Sequence, residues 1–415
     1  MLNNRNQPKE YDAVLGSQIA TPSGAAVLGG LEAVKKRLAS PTVQQKIMAL
    51  SDTLKYGQPG LDLALQYLKK DESEEIRQAA CDLLVDHTQT PKVIKALWTY
   101  KTGSLKILQA HSGAVTAITF SPDGKQLFSS GDLGNIIVLN WQQEQEINTL
   151  KKHFTWVSSL IFSLDGKNLI SASYDHTISI WNCQTGEHIC RLVEYPNEIP
   201  QIATNTNHPA RIISIGISGD GQTLISGSQG KTITLWNLKN KEKIHSFNLN
   251  GHDNHISRIA ISPNGKILAS GGGFHDRTIK LWHLETGAEI RTLKPNPGGE
   301  ITALAFTPDG ETLVSSSYDK TVRVWNWQTG EEIHSLTGHK NWVTSVALSS
   351  DGNMIVSGDW DGMVKLWDLH TGEEISSLDE FCGSYANVIA SVNISPDAKT
   401  IAIGDRSGRI KLWQV

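Results

Sequence analysis

The 415-residue chain has few cysteines and no long apolar run. Its four cysteines, Cys81, Cys183, Cys190 and Cys382, are scattered, so they do not form the spaced framework of a disulfide-rich secreted protein. No run of about 18 consecutive apolar residues occurs, and therefore no membrane-spanning helix is predicted. The first residues, MLNNRNQPKEYD, lack the apolar segment of a secretory signal peptide. We therefore expect a cytoplasmic protein.

The sequence also lacks a charge surplus and the linear motifs of common enzymes. The formal net charge is only −4, which does not favour a dedicated nucleic-acid-binding protein. There is no phosphate-binding loop of Walker type, no His-Glu-x-x-His, and no Gly-x-Ser-x-Gly between a strand and a helix. Cys183, His188 and Cys190 span a hairpin turn, and their spacing matches no structural zinc pattern. We predict no catalytic residues, no metal and no cofactor.

What the chain has in abundance is one repeated unit. The segment 338–378 reads GHKNWVTSVALSSDGNMIVSGDWDGMVKLWDLHTGEEISSL, and most of the sequence after residue 104 repeats it. A repeat of 20–50 residues indicates stacked structural units, and it determines the fold. The position of Trp367 recurs seven times, at Leu139, Trp181, Trp236, Trp282, Trp325, Trp367 and Trp413.

Each unit has the pattern of four short strands separated by turns. In the clearest unit the apolar run Val343–Leu348 ends at the turn Ser349–Gly352, where Asp bonds the local backbone and Gly adopts positive φ. Turns at Asp361-Gly362 and Thr371-Gly372 enclose an alternating strand, and an outer strand, 374–378, follows. A single sheet of this size cannot bury both of its faces, so neighbouring units must stack.

These marks resemble those of a known family. Gly338-His339, Asp361 and Leu366-Trp367-Asp368 resemble the Gly-His, Asp and Trp-Asp marks of WD-repeat β-propellers. The resemblance implies an all-β seven-bladed β-propeller over residues 104–415. The chain ends just after the third strand of the last unit, so we infer that the spare strand 105–109 completes that blade and closes the ring.

The resemblance also implies a hydrogen-bonded tetrad of His, Ser, Asp and Trp within a blade. Three blades carry complete sets, which are His153, Ser171, Asp175 and Trp181; His252, Ser270, Asp276 and Trp282; and His339, Ser357, Asp361 and Trp367. The other four blades depart from the pattern at Leu133 and Leu139, at Gly230, at Pro297, and at Tyr385 and Ser407. Those blades are expected to depend more on apolar packing. Because a Ser, His and Asp that recur at blade spacing are not repeated catalytic triads, we predict a structural role for the tetrads.

In this family, three positions per blade point toward the narrower top rim of the propeller. They are the third and fifth residues after the tetrad His and the residue before the tetrad Asp. At the first and last of these, the predicted partner-binding residues are Trp156, Tyr174, Arg211, His255, His275, Tyr318, Trp342, Trp360 and Arg406. The fifth position holds mostly small residues. Trp, Tyr and Arg are enriched at interface hot spots, so binding is favoured over aromatics that simply pack on neighbouring loops.

Residues 1–100 have a different pattern. Residues 1–24 are polar and are expected to be flexible, and residues 25–100 have the 3.6-residue periodicity of a small all-α domain. The segment SEEIRQAACDLLVDH resembles a HEAT-type helical repeat, and the layout resembles the helical leader of bacterial, cyanobacterial-type WD-repeat proteins. Trp98 is interpreted either as a helix-end aromatic packed on the propeller or as a relic of a third strand.

Two functions remain open at this point. The favoured one is a non-enzymatic scaffold for protein–protein interaction that presents the top rim to a protein or peptide partner. The alternative is a small-ligand or glycan-binding module that uses the same aromatic side chains. The loop 193–207, which joins the second and third blades, is either functional or simply mobile. An ordered pocket lined by aromatics and carboxylates would favour the alternative, and a broad, shallow rim would favour a protein partner.

Overall fold

The computed structural model describes residues 30–70, 73–84, 91–100, 104–193, 211–253, 255–295, 299–378 and 388–414. The predicted flexible segment 1–24, most of the loop 193–207 and the tetrad positions Pro297 and Tyr385 lie outside these residues. The chain divides into two compact units between Leu84 and Val85. The last helix of the predicted helical domain 25–100 therefore belongs to the second unit.

The first unit is helical. Its helices are α1 (Gly30–Leu38), α2 (Val43–Thr53), a 3-10 turn (Leu54–Tyr56), α3 (Gly57–Lys70) and α4 (Glu74–Leu84). Two glutamates occupy the first turn of α4, where negative charge suits the helix dipole. The buried face of α4 consists of Ile76, Ala80, Cys81 and Leu84, at helical spacing. None of the helices in the described part of the chain is long and apolar enough to cross a membrane.

The second unit contains α5 (Pro91–Tyr100) and 28 strands in seven four-stranded sheets. The first three blades are β2 (Val115–Phe120), β3 (Leu127–Gly131), β4 (Asn135–Asn140) and β5 (Gln145–Lys151); β6 (Val157–Phe162), β7 (Asn168–Ser173), β8 (Thr177–Asn182) and β9 (His188–Val193); and β10 (Ile212–Ile217), β11 (Thr223–Ser228), β12 (Thr232–Asn237) and β13 (Glu242–Asn248). The next three are β14 (Ile256–Ile261), β15 (Ile267–Gly272), β16 (Ile279–His283) and β17 (Glu289–Leu293); β18 (Ile301–Phe306), β19 (Thr312–Ser317), β20 (Val322–Asn326) and β21 (Glu331–Leu336); and β22 (Val343–Leu348), β23 (Met354–Asp359), β24 (Val364–Asp368) and β25 (Glu374–Leu378). The seventh contains β26 (Ile389–Ile394), β27 (Thr400–Asp405), β28 (Arg409–Gln414) and β1 (Ser104–Gln109).

The predicted seven-bladed β-propeller is confirmed, and local turn chemistry explains its regular blades. Between the first two strands of the sixth blade, the Ser349 hydroxyl donates to Asp351 and accepts from the Met354 amide at 2.9 Å. Gly352 closes this turn at φ +73°, a conformation that glycine adopts without strain. The same turn recurs in the other blades, and it fixes the register of each first hairpin.

The first strand in the sequence pairs with the last. Strand β1 runs antiparallel to β28, with Ser104 opposite Gln414 and Gln109 opposite Arg409. The seventh sheet is therefore built from both ends of the propeller segment, and its strand order is β1-β28-β27-β26. This pairing gives β28 a partner on each side, so that neither of its edges is open to another chain.

Helix α5 packs on the outer strand β25 of the sixth blade. Trp98, near its end, is fully buried in the apolar cluster between the sixth and seventh blades, and its ring lies 4.4 Å from that of Trp413 in an edge-on arrangement. The Ser376 hydroxyl of β25 donates to the Trp98 carbonyl at 3.3 Å. Of the two interpretations of Trp98, the helix-end aromatic agrees with this arrangement.

Candidate partner-binding face

Two of the three predicted tetrads, those of the second and fourth blades, have the predicted members. In the second blade, His153 Nδ1 donates to Asp175 Oδ2 at 3.0 Å, because a carboxylate can only accept. His153 Nε2 must then accept from the Ser171 hydroxyl at 2.8 Å, and the Ser171 oxygen accepts from Trp181 Nε1 at 2.9 Å. The chain of bonds satisfies buried polar groups on strands β7 and β8, in the turn between them and in the loop before β6.

The same bonds join His252, Ser270, Asp276 and Trp282 in the fourth blade. Burial opposes ionisation of Asp175 and Asp276, but the bonds from histidine and from a nearby threonine hold the pKa of each carboxyl below its usual value. Both carboxylates are therefore ionised acceptors at neutral pH, which fixes the rotamer of each histidine.

The predicted tetrad of the sixth blade is wrong in one member. His339 Nδ1 donates to Asp359 Oδ2 at 2.8 Å. The predicted Asp361 instead accepts from the side-chain amide of Asn341. Asp359 ends strand β23, two residues after Ser357, so its buried carboxylate reaches His339 directly. It also accepts the backbone amides of Asp361 and Met363, and it thereby shapes the turn that carries Trp360.

Two blades without the tetrad histidine use a buried cation. In the fifth blade Arg323 Nη1 lies 2.6 Å from Asp319 Oδ2, and in the seventh Lys411 Nζ lies 3.1 Å from Asp405 Oδ2. Arg323 and Lys411 each stand two residues before the repeat Trp, on the inward side of the third strand. In these two blades an ion pair therefore supplies a polar contact beside the expected apolar packing. The same position holds Lys280 and Lys365 in the fourth and sixth blades, where glutamates pair with them, so a basic residue there does not by itself identify a blade without the tetrad histidine.

The first blade keeps its histidine but has Leu133 at the position of the tetrad Asp, and Leu133 is exposed. His111 is buried, its Nε2 lies 2.9 Å from the Ser129 hydroxyl, and burial lowers the pKa of His111. The pKa of His111 is lower in the folded chain than in the unfolded chain. As the pH falls, the unfolded chain therefore binds the proton first. Stability should therefore fall as the pH falls through about 6.5.

We predict that His111→Gln reduces this acid-side loss of stability. For one proton the slope is at most about 1.4 kcal/mol per pH unit, and urea unfolding between pH 7.5 and 5 measures it. The exposed His245 supplies the control, because His245→Gln should leave the slope unchanged. Equal slopes in the wild type and His111→Gln would contradict the prediction.

A backbone hydrogen bond marks equivalent rim positions in all seven blades. The residue at the end of the second strand donates its amide to the carbonyl of the residue that precedes the first strand, as Tyr174 does to Trp156 and Trp360 to Trp342, both at 2.9 Å. The seven donor–acceptor pairs are Asp132 and Ala114, Tyr174 and Trp156, Gln229 and Arg211, Gly273 and His255, Tyr318 and Glu300, Trp360 and Trp342, and Arg406 and Val388. We call these residues the top face.

His275, predicted at the rim of the fourth blade, does not occupy the equivalent position. The turn there is two residues longer than in the second and sixth blades, and Gly273 makes the marking bond to His255. A Cβ on Gly273 would lie 2.5 Å from the His255 ring, so the ring rests on the glycine backbone. His275 is exposed and its ring lies 5.7 Å from that of Phe274. The insertion displaced the predicted residue from the top face.

The first aromatic group on the top face, the first stack, consists of Trp156, Tyr174 and Arg211. The rings of Trp156 and Tyr174 are nearly parallel, with centroids 5.9 Å apart and an interplanar angle of 12°. The Arg211 guanidinium lies 5.0 Å from the Tyr174 centroid on the neighbouring blade. Trp156 remains 43% exposed, so its ring is available to a partner.

The second aromatic group, the second stack, extends over the fifth, sixth and seventh blades. Tyr318 stacks on Trp342 at 4.7 Å, and Trp342 meets Trp360 edge-on at 5.4 Å. The Arg406 guanidinium lies 4.5 Å from the Trp360 centroid. Trp342 is 39% exposed, whereas Trp360 and Arg406 are partly covered by their neighbours. Every predicted partner-binding residue except His255 and His275 belongs to one of the two stacks.

The fifth position after the tetrad histidine has a structural use. In five blades its hydroxyl donates to the backbone carbonyl of the next blade, as Thr116 does to Val157 at 2.6 Å and Thr302 to Val343 at 2.7 Å. The five donors are Thr116, Ser158, Ser257, Thr302 and Thr344. These bonds connect neighbouring blades next to the top face, and three of them join blades that carry the same stack.

A cavity of about 260 Å³ lies between the stacks at the mouth of the central channel. Trp156 and Tyr174 line one side, and Tyr318, Trp360 and Arg406 line the other. Glu300 and Arg258 add charge of both signs to the lining; Glu300 Oε1 lies 3.9 Å from His255 Nε2. Burial, together with the Glu300 carboxylate, raises the pKa of the Tyr318 phenol, so it remains a neutral hydrogen-bond donor.

Arg258 was not predicted as a site residue. It lies on β14, one residue after the hydroxyl position, and its guanidinium donates to the Ser257 carbonyl at 2.9 Å. The corresponding residues of the other blades are small, namely Ala117, Ser159, Ser214, Ala303, Ser345 and Ser391. That contrast is visible in the aligned repeats, and it would have identified Arg258 as a charged side chain at a position where the other six blades have Ala or Ser.

Comparison with known proteins agrees with the repeat count. The family described as "WD domain, G-beta repeat" (WD40) matches residues 102–139, 144–182, 200–237, 241–283, 287–326, 330–368 and 374–414. The rat protein "Apoptotic protease-activating factor 1" is 27% identical over 214 residues, which is 50% of this chain and 16% of that protein.

Two plant proteins show similar identity. "Cell division cycle 20.1, cofactor of APC complex" from Arabidopsis thaliana is 26% identical over 230 residues, 53% of this chain and 47% of that protein. "Guanine nucleotide-binding protein subunit beta" from rice is 26% identical over 217 residues, 51% of this chain and 55% of that protein. The chain thus spans less than two thirds of the length of each of these relatives.

Proposed function

Because the chain belongs to the WD40 repeat family, we propose that it is a non-enzymatic protein-interaction scaffold whose top face binds a protein or peptide partner. Propellers of this family typically serve as interaction scaffolds. The names of the rice and Arabidopsis relatives, a subunit and a cofactor of a complex, describe proteins that act in assemblies. One observation carries the proposal to this chain: two aromatic–arginine stacks flank a single cavity on the top face.

The chemistry of the stacks suits an interface. Trp and Tyr offer large contact areas and lose few rotamers on binding, and with Arg they are the residue types most enriched among interface hot spots. Trp156 and Trp342 are both partly exposed, so a partner can cover them and bury additional apolar surface. The hydroxyl bonds between blades hold both stacks in place before binding, which lowers the entropy cost of association.

The cavity has a size suited to a side chain of a partner or to a small ligand. Small-molecule sites usually enclose roughly 300–1,000 Å³, and this cavity is about 260 Å³. A glycan or small-ligand site remains the second candidate, because Glu300 stands beside four aromatic residues in the lining, as sugar recognition requires. The peptide proposal explains in addition why Trp342 is exposed outside the cavity.

We propose further roles for the rest of the chain. The helical first unit, with its HEAT-like sequence, would provide a second contact surface or tether the propeller to a complex. A cytoplasmic location and a bacterial WD-repeat type are part of the same proposal. The amphipathic face of α4 supports the role of the helical unit as a contact surface.

A pull-down from native cell extract tests the proposed face. The variant carries Trp156→Ala, Trp342→Ala and Trp360→Ala, and we expect it to lose the partner that the wild type captures. Loss of hot-spot side chains should weaken binding by about 30-fold or more. The matched control replaces three exposed isoleucines of the outer strands, Ile147, Ile244 and Ile290, with alanine.

All three proteins must first show equal circular dichroism and melting temperature. A protein captured by the wild type and the control, but absent from the triple-tryptophan variant, would support the top face as the binding surface. Equal capture by all three proteins would exclude it. Capture of no protein, combined with a glycan or metabolite that binds the wild type alone, would favour the second candidate.

A further inference from the structure

Among the described residues, one groove at the outer side of the propeller is open where two of its counterparts are filled. It lies between the second and third blades, and its cavity measures about 310 Å³. Its walls are Ile170, Ile180, Ile189 and Leu238, and the turn residue Leu164 stands at its edge. Leu164 is exposed, and so is Ile189 on the outer strand β9. The groove is far from the top face, on the side where the first two strands of each blade are joined.

Every blade from the first to the sixth has an isoleucine eight residues after the repeat Trp position. Five of these isoleucines, Ile147, Ile189, Ile244, Ile290 and Ile333, are 40–52% exposed, whereas Ile375 is 6% exposed. The difference has a visible cause, because helix α5 packs on β25, the strand of Ile375. This position on the outer strand therefore accepts a helix without any change in the blade.

Trp98 of α5 shows what such a helix inserts. It shares its buried cluster with Met354, Val356, Leu366 and Ile375 of the sixth blade. By repeat position these four residues correspond to four of the residues of the second blade that line the open groove, namely Asn168, Ile170, Ile180 and Ile189. The filled site and the open site are the same place in two different blades.

The groove between the first and second blades provides the opposite comparison. There the position of Ile170 holds Phe128, whose ring packs edge-on against Phe162 at 5.1 Å. The remaining cavity is only about 30 Å³. A residual space of about 310 Å³ exceeds the roughly 150 Å³ that is sufficient to hold a benzene ring, so the open groove can take one large aromatic side chain.

The charges at the groove mouth indicate the kind of segment that fits. Asp165 and Asp220 lie on its two sides, and Lys241 is the single cation among its lining residues. The helix that fills the equivalent groove has the sequence PKVIKALWTY, in which two lysines accompany the tryptophan. We propose that the groove between the second and third blades binds an amphipathic helix of a partner protein, which inserts one large aromatic side chain and carries basic residues beside it.

The test uses the full-length protein and a fluorescein-labelled peptide with the sequence of residues 89–101, QTPKVIKALWTYK, added in trans. Fluorescence anisotropy should show saturable binding that weakens as the salt concentration rises. Ile189→Glu places a charge in the open groove and should weaken binding by about 30-fold. Ile147→Glu, at the same position beside the filled groove, is the matched control and should bind the peptide as the wild type does.

A second peptide with alanine in place of the tryptophan should bind at least about tenfold more weakly, since it lacks the anchor. Unchanged affinity of Ile189→Glu, or of the alanine peptide, would overturn the proposal.

Tighter peptide binding after deletion of residues 1–29 would show that the chain's own N-terminal segment is the occupant. A wild-type dimer that Ile189→Glu dissociates in analytical ultracentrifugation would assign the groove to a second copy, and either result would overturn the partner proposal. The triple-tryptophan variant should bind the peptide normally, so failure of the top face and of the groove are distinguishable.

Discussion

Replacing Asp405 with alanine is expected to destabilise the protein by about 3–5 kcal/mol, because it leaves the buried ammonium of Lys411 without its counter-charge. The Lys411 side chain has no exposed surface, and its Nζ lies 3.1 Å from Asp405 Oδ2. Burial lowers the pKa of Lys411, and the Asp405 carboxylate opposes that shift. Asp405 also accepts the amides of Ser407 and Arg409, so its loss opens the turn as well.

Urea unfolding of Asp405→Ala, Lys411→Met and the double variant separates the two contributions. Replacing both members of a buried ion pair with apolar groups is often nearly neutral. We therefore expect the double variant to recover most of the stability that the single Asp405 variant loses, apart from the turn bonds. A loss of less than about 1 kcal/mol in Asp405→Ala would contradict the view that this pair substitutes for a tetrad in the seventh blade.

The second large effect distinguishes two aspartates in one turn. Asp359→Ala should cost about 3 kcal/mol, because His339 and two backbone amides lose a buried acceptor. Asp361→Ala should cost less than about 0.5 kcal/mol, because the partly exposed Asp361 accepts from the side chain of Asn341 and not from the buried His339. The midpoints of urea unfolding measure both changes. A larger loss for Asp361 than for Asp359 would restore the tetrad predicted from the motif.

The seven blades and the helical leader could be predicted from sequence because each rests on a repeated local signal. Strand alternation, turn residues and the recurrent tryptophan all have one period, and local chemistry produces all three. The pairing of β1 with β28 follows equally from counting, since one spare strand and one incomplete blade remained. Agreement among several levels of pattern made the propeller predictable.

Single residues at turns were harder to predict. In the sixth blade, aspartates stand both two and four residues after Ser357, and spacing alone does not show that the buried one reaches His339. In the fourth blade two inserted residues move His275 away from the rim and leave Gly273 there. In both turns the motif places a residue type in the right loop, but the backbone path decides which atom faces the site.

Long-range packing was the third limit. Helical periodicity predicts α5, yet it does not show that the helix covers Ile375 or that Trp98 lies against Trp413. These contacts depend on which elements become neighbours, and the 2.0- and 3.6-residue periods do not contain that information.

The central claim is that a partner protein contacts the top face, and photocrosslinking tests it most directly. A photoreactive benzoyl-phenylalanine replaces Trp342 in one protein and the equally exposed Ile290 of an outer strand in another. Both proteins are irradiated in native extract. The account predicts that position 342 forms a crosslink to a specific protein and that position 290 does not crosslink to it. A crosslink to the same protein from position 290 alone would contradict it.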